Sequence, residues 1–246
     1  MIKRSLKFVC ISDTHELQNW HKNIPNGDVL IHSGDFTLYG GLTQTKSFIE
    51  KFTALPHPVK ILIAGNHDLA FDVEHYQRLI EKYSYRKKKD HYTETAMEIK
   101  QLILNCKDII YLEHESVDVF GYKLFGSPFH PIHSGAAFQR DKEELIRLRS
   151  QIPSDIDILV THGPPHGIRD QTKIAWKLGG CENLRAEVED RIKPKYHIFG
   201  HIHEGYGTEK IDQTTYINCA MADTGYTIEN SPICFWLPLK KLLPKL

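Results

Sequence analysis

The 246-residue chain has little cysteine to build with: Cys10, Cys106, Cys181, Cys219 and Cys234 are an odd number and contain no C-x-x-C pair. That spacing argues against a disulfide framework and a thiolate zinc cluster, and favours buried thiols in a reducing compartment. Net charge is also absent, with 31 Lys and Arg against 31 Asp and Glu. No global field therefore draws the protein to nucleic acid or to a membrane, and any attraction for anions has to be local. No apolar run approaches the roughly 18 residues of a spanning helix. The N-terminal M-I-K-R-S-L-K-F-V-C-I-S-D reaches Asp13 too soon for a signal peptide. These absences predict a soluble, cytoplasmic protein without a membrane partner. No repeat, low-complexity tract or linker forces a boundary, so residues 1–246 are expected to form a single domain, a size that one α/β core can fill.

What the chain does have is a series of apolar, β-branched runs that stop abruptly in polar side chains. Lys7 to Ile11 ends in S-D-T-H, Asp28 to Ser33 in Gly34-Asp35, and Val59 to Ala64 in G-N-H-D. Ile156 to Thr161 ends in H-G-P-P, and Tyr196 to Phe199 in G-H-I-H. Such runs read as buried parallel strands that deliver chemistry at their carboxyl ends. Helical spacing over Thr43 to Leu55, over Val73 to Tyr83, over Ile99 to Cys106, around Leu145 to Ile152 and over Leu184 to Ile192 supplies the covering helices. The second of these dissolves in the basic run Arg86 to Lys89, read as a solvated surface. Short β-type runs flank a turn at Gly121, Pro128 to Gly135 reads as a loop, and Thr215 to Asn218 and Ile233 to Leu237 read as closing strands. The expected class is α/β, with helices flanking the strands.

Five strand ends together offer Asp13, His15, Asp35, Asn66, His67, His162, His201 and His203. Taken singly, each motif reads as well as a polar turn. Turn chemistry does not account for the same kind of residue at five corresponding strand ends, where a shared rim would make the side chains converge. Imidazole with carboxylate and amide oxygens suits Mn, Fe, Zn or Ni, and the lack of cysteine in the set argues against structural zinc. Eight candidates are too many for one ion. They divide naturally between two ions held about 3.5–4 Å apart by a shared carboxylate.

The ordered set D-T-H, G-D, G-N-H-D, T-H-G-P-P and G-H-I-H, from Asp13 to His203, resembles the calcineurin-like metallophosphoesterase superfamily. The flanking text, including I-S-D-T-H, D-V-L-I-H-S-G-D-F-T and F-G-H-I-H-E-G-Y-G, is similar to its MPPED, or UPF0046-like, branch. The resemblance implies a β-sandwich of mixed sheets flanked by helices in four layers. It implies two divalent cations, Mn foremost with Fe, Zn, Ni or Mg as alternatives. Asp13, His15 and His203 would hold one ion and Asn66, His162 and His201 the other, with Asp35 bridging. His67 would then contact the phosphate and protonate the leaving oxygen, and Asp68 would orient His67. The implied activity is phosphoester hydrolysis by a metal-bridging hydroxide.

Gly34-Asp35 is followed by F-T-L-Y-G-G, without the arginine that protein phosphatases of the superfamily carry there. That favours a phosphodiester, with cyclic or small nucleotides as the expected class, over a phosphomonoester, although Arg169 offers a substitute cation. The expected partner is a small phosphoester and not extended nucleic acid. A nucleotide-binding protein with little catalysis is the alternative from another class. His130, His133 and His166 fall in loops near the expected cleft, and Trp20, Phe129 and Tyr206 are candidates to stack a base.

Overall fold

The computed structural model describes residues 5–83, 95–173 and 178–240, the side chains of 80–83 excepted. The basic run Arg86 to Lys89 lies outside them. The five apolar runs are strands: β1 (Ser5–Ile11), β2 (Val29–His32), β3 (Val59–Leu62), β9 (Ile158–Thr161) and β10 (Tyr196–Phe199). They divide between two sheets. The first has the order β13-β1-β2-β3-β4, with β4 at Ile110–Tyr111 and β13 at Ile233–Pro238. Its strands are parallel except β13. The second runs β11-β12-β10-β9-β6-β5, from Gly207–Ile211 (β11) and Thr214–Asn218 (β12) to the hairpin of Glu115–Val119 (β5) and Tyr122–Ser127 (β6) around Gly121. Its four inner strands are parallel and its two edge strands antiparallel.

Alternation along β1 explains how the layers stack. Leu6, Phe8 and Cys10 face the second sheet and share a core with Leu124, Val160, Ile198 and Ile217. Val9 and Ile11 point the other way, toward Phe48 and Phe52 of helix α1 (Leu42–Ala54) and Ile99 and Ile103 of helix α3 (Ala96–Leu104); helix α2 (Tyr76–Tyr83) adds Leu79 to this layer. On the far face of the second sheet, Leu159 and Phe199 pack with Leu145 of α4 (Lys142–Ser150), Leu184 of α5 (Glu182–Glu187) and Val188. The result is helix, sheet, sheet, helix, the four layers expected. Period two in the strands buries both faces of each sheet, which is why these strands read as continuous apolar runs.

Helix ends follow local chemistry. Thr95 and Glu98 form a capping box at the start of α3, and the Asp141 carboxylate accepts the Glu144 N–H at the start of α4. The single helical stripe read over Leu184 to Ile192 is two pieces, α5 and a π turn from Val188 to Ile192, closed where Lys193 turns left-handed ahead of Pro194. The loop expected from Pro128 to Gly135 contains a short strand, β7 (His130–Pro131), parallel to β8 (Gln139–Arg140). No helix among the described residues is long and apolar enough to cross a membrane.

Candidate metal centre

The carboxyl ends of β1, β2 and β3 from one sheet and of β9 and β10 from the other meet at one rim. Hydrogen bonds tie the five ends together. The N–H of Asp13 donates to the Gly34 carbonyl at 3.0 Å, that of His15 to Asp35 at 2.9 Å, and that of Gly200 to His162 at 3.0 Å. Across the sheets, the His162 Nδ1–H donates to the Ser33 carbonyl at 3.0 Å and the His201 N–H to Asp13 Oδ2 at 3.0 Å. All seven expected ligands are brought together. One ligand atom from each of Asp13, His15 and His203 falls within 4.8 Å of the others, and the same holds for Asp35, His162 and His201. Asn66 Oδ1 lies 2.8 Å from His162 Nε2. Asp35 also groups with His15 and His67 at the same limit, so its carboxylate stands between the two sets.

The backbone is strained where these side chains are aimed. Asp13 (φ 52°), His15 (φ 47°), Asp35 (φ 56°) and His201 (φ 68°) all occupy the left-handed region. Each such residue costs on the order of 1–3 kcal/mol, and strain of this kind gathers at functional sites. A Cβ on Gly65 would collide with Asp35 Oδ1, and one on Gly200 with Asp13 Oδ2. The glycine that opens G-N-H-D and the one that opens G-H-I-H are thus there to let backbone approach a carboxylate.

The donor set fits cations. His162 gives its Nδ1 proton to Ser33, so Nε2 presents a lone pair to Asn66 Oδ1 at 2.8 Å and Asp35 Oδ2 at 3.4 Å. His203 likewise gives its Nδ1 proton to the Asp223 carbonyl at 2.8 Å and turns Nε2 toward His15 Nε2 at 3.3 Å and Asp13 Oδ1 at 3.4 Å. Acceptors facing acceptors in a buried site need a positive charge between them, a proton or a metal ion. Burial would raise the Asp35 carboxyl, yet His162, His67 and His15 hold it well below the usual carboxylate range. Against burial, the Asp35 charge raises His162 to about 9; also against burial, the Asp13 hydrogen bond raises His203 to about 9. In metal-free protein these two protons stand where ions would. Because both folded-state values lie above the ordinary histidine value of about 6.5, their stabilisation is complete below that pH and lost as pH rises to about 9. The thermal midpoint of chelator-treated protein is therefore expected to fall between pH 6.5 and 9. Saturating Mn²⁺ should flatten that fall; a flat or rising metal-free profile would contradict it.

A cavity of about 440 Å³ opens over the site and is lined by Asn66, His67, His133, His201, His203 and Tyr226 among others. The His67 Nδ1–H donates to the Leu38 carbonyl at 3.0 Å, which fixes the ring and leaves Nε2 for the cavity. Here one expectation is corrected. Asp68 does not hold the His67 ring; its carboxylate accepts the N–H groups of Asp35 (2.9 Å), Thr37 (2.8 Å) and Gly65 (2.8 Å) and the Thr37 hydroxyl (2.7 Å). Burial first, and the Asp35 charge second, push the Asp68 carboxyl up to about 7. Asp68 thus pins the G-D turn to the G-N-H-D turn, and a backbone carbonyl orients the histidine.

The other candidates separate clearly. Trp20 is fully buried against Phe48, Phe129 packs on Phe138, and the Tyr206 hydroxyl donates to the Ser231 carbonyl. Arg169 lines a different recess of about 650 Å³, where its guanidinium donates to the Thr208 carbonyl at 2.5 Å and faces Glu209 at 3.6 Å. Sequence reasoning missed Tyr226, whose ring centroid lies 4.9 Å from His15 and 5.5 Å from His203. It sits in a turn closed by Asp223, with φ 58°, and T-G-Y-T carried no signal beyond an ordinary turn.

Residues 6–205 match the family described as calcineurin-like phosphoesterase. Over 235 residues the chain is 40% identical to metallophosphoesterase domain-containing protein 1 of Homo sapiens, covering 94% of this chain and 71% of that one. It is 38% identical over 245 residues to a UPF0046 protein of Caenorhabditis elegans, covering 97% and 83%. The structure resembles that of a phosphopantetheinyl hydrolase from Mycobacterium tuberculosis, with TM-score 0.59, 14% identity and 89% and 90% coverage. At that identity the likeness concerns the fold.

Proposed function

The chain belongs to the calcineurin-like phosphoesterase family of metal-dependent phosphoester hydrolases, and on that premise we propose that it hydrolyses a small phosphodiester at the rim shared by its two sheets. Asp13, His15 and His203 would hold one divalent cation and Asn66, His162 and His201 the other, with Asp35 common to both. Manganese is the proposed metal, since oxygen donors accompany imidazole in each half. Two such cations supply an activated water at neutral pH and stabilise charge on the phosphoryl oxygens.

The chain's own residues do the rest. The shared rim and the strained turns fix the donors before substrate arrives. Leu38 holds one proton on His67 Nδ1, so Nε2 is the cavity-facing nitrogen, and it is the imidazolium form, carrying a second proton on Nε2, that would hand that proton to the leaving oxygen. Asp68 keeps Asp35 and His67 in register by tying their two turns together.

The cavity lining carries the diester reading: among the described residues no lysine or arginine borders it. Arg169, the cation that would have favoured a monoester dianion, is engaged with Thr208 and Glu209. A monoanionic diester needs less positive charge than a dianion. With bis(p-nitrophenyl) phosphate and p-nitrophenyl phosphate compared side by side, kcat/KM is expected to favour the diester by about tenfold or more, a difference of about 1.4 kcal/mol in transition-state stabilisation. A preference for the monoester would overturn the substrate class. The proposal includes a cytoplasmic setting, supported by free, buried Cys10, Cys181 and Cys219, and a small phosphoester, such as a nucleotide, as the partner.

A further inference from the structure

We propose that His130, His133 and His201 form an additional, all-imidazole ion site beside this centre, which takes a borderline cation such as Zn²⁺ or Ni²⁺ and competes with the hydrolytic site for His201. One ligand nitrogen from each lies within 4.8 Å of the other two. The ring of His201 is 5.0 Å from His130 and 4.8 Å from His133, centroid to centroid.

His130 is the independent observation. Its side chain is only 2% exposed, and its Nδ1–H donates to the Pro128 carbonyl at 3.1 Å. The remaining nitrogen, Nε2, is buried with no hydrogen-bond partner among the described residues. A histidine whose Nδ1 proton is fixed on a carbonyl while a buried Nε2 lone pair stands open has the arrangement of a metal ligand. His57 and His197 also leave a buried ring nitrogen open, but neither belongs to a ligand cluster among the described residues, whereas His130 meets two further imidazoles.

The loop that carries His133 is built to hold a position. Gln139 Oε1 accepts the N–H groups of His133 (3.3 Å), Ser134 (3.2 Å) and Ala136 (3.1 Å). Next to it, Arg140 makes a two-pronged pair with the buried Asp72, each contact 3.1 Å. Tetrahedral zinc with Zn–N near 2.0–2.1 Å wants its nitrogens about 3.4 Å apart, so a cluster whose nitrogens lie within 4.8 Å of one another has to close by at most about 1.4 Å. His133, exposed at the loop tip, is the arm that moves. As it binds through Nε2, its proton passes to Nδ1 and toward the Pro131 carbonyl, now 3.4 Å away. The Gln139 amide nitrogen, 2.8 Å from that Nδ1 and 3.2 Å from Nε2, has to give up both ring nitrogens as the ring turns, keeping Ser134 Oγ at 3.2 Å as its acceptor.

The donor chemistry separates the two sites. No carboxylate belongs to the three-histidine set, so Mn²⁺ and Mg²⁺ gain little there, while Zn²⁺, Ni²⁺ and Cu²⁺ favour imidazole. A neutral imidazole nitrogen serves one ion at a time, so filling this site withdraws His201 from its hydrolytic role. Excess zinc should therefore inhibit the manganese-loaded enzyme by binding an additional ion, not only by replacing manganese.

The test is a zinc titration of manganese-loaded protein, with ions counted per chain and zinc located by anomalous scattering at its absorption edge. The expected result is zinc density among the three imidazoles together with loss of turnover. His133→Ala should lose that zinc and require at least about tenfold more zinc for the same inhibition, while its manganese count is retained. His130→Gln should repeat the loss of zinc. Zinc found only beside Asp13 and Asp35, or inhibition unchanged in His133→Ala, would overturn the proposal. The manganese count is read separately, so loss of the hydrolytic centre is not mistaken for failure of this one.

Discussion

Exchanging Asp35 for Asn is expected to reduce bound manganese from about two ions per chain to fewer than one, and to lower turnover on the order of 10³-fold or more. The size of the effect follows from position. The Asp35 carboxylate is 2% exposed and groups with His15 and His67 on one side and with His162 and His201 on the other. Among the described residues no other carboxylate belongs to ligand clusters with members of both sets. Asn keeps an oxygen to accept the His67 N–H, which now donates to Asp35 Oδ1 at 2.7 Å, so the fold should survive with its turns in place. Metal analysis of the purified variant, beside its thermal unfolding in chelator, separates lost charge from lost structure. Two ions retained in Asp35→Asn would show that Asp35 is not the shared ligand.

His67→Ala should act differently, abolishing turnover with little loss of metal. A general acid contributes roughly 10²–10⁴-fold, and the loss should grow as the leaving group becomes a poorer one. Diesters of p-nitrophenol, a stable leaving anion, should lose least and those of simple alcohols most. This dependence identifies proton transfer, which a general loosening of the site would not produce. The alternative is concrete, because His67 also lies with His15 and Asp35 within reach of one ion. A His67→Ala protein that loses an ion would reassign His67 as a ligand.

These two side chains also mark how far the sequence carries the account. Asp35, Asn66 and His162 were legible because a buried strand leaves a distinctive run of apolar residues and then stops, and the stopping residue is the one presented. The four layers were implied by the resemblance, whereas the partition of strands between two sheets depends on pairings that no single run specifies. Asp68 illustrates the gap most clearly. The resemblance implied that it orients the His67 ring, yet the turn carries its carboxylate back to Asp35, Thr37 and Gly65. The group that orients His67 is the backbone carbonyl of Leu38, and every residue has such a carbonyl. Tyr226 and the unpartnered nitrogen of His130 are likewise products of tertiary approach. Trp20 errs in the opposite direction, as an aromatic near the first motif that the helix α1 core absorbs entirely.

The proposed hydrolysis requires two cations, one on either side of Asp35. Crystals grown with Mn²⁺ and measured at the manganese edge test this directly. The expected map holds two anomalous peaks about 3.5–4 Å apart, one bounded by Asp13, His15 and His203, the other by Asn66, His162 and His201, with the Asp35 carboxylate touching both. A single peak, or a pair that leaves Asp35 without contact to either, would contradict it.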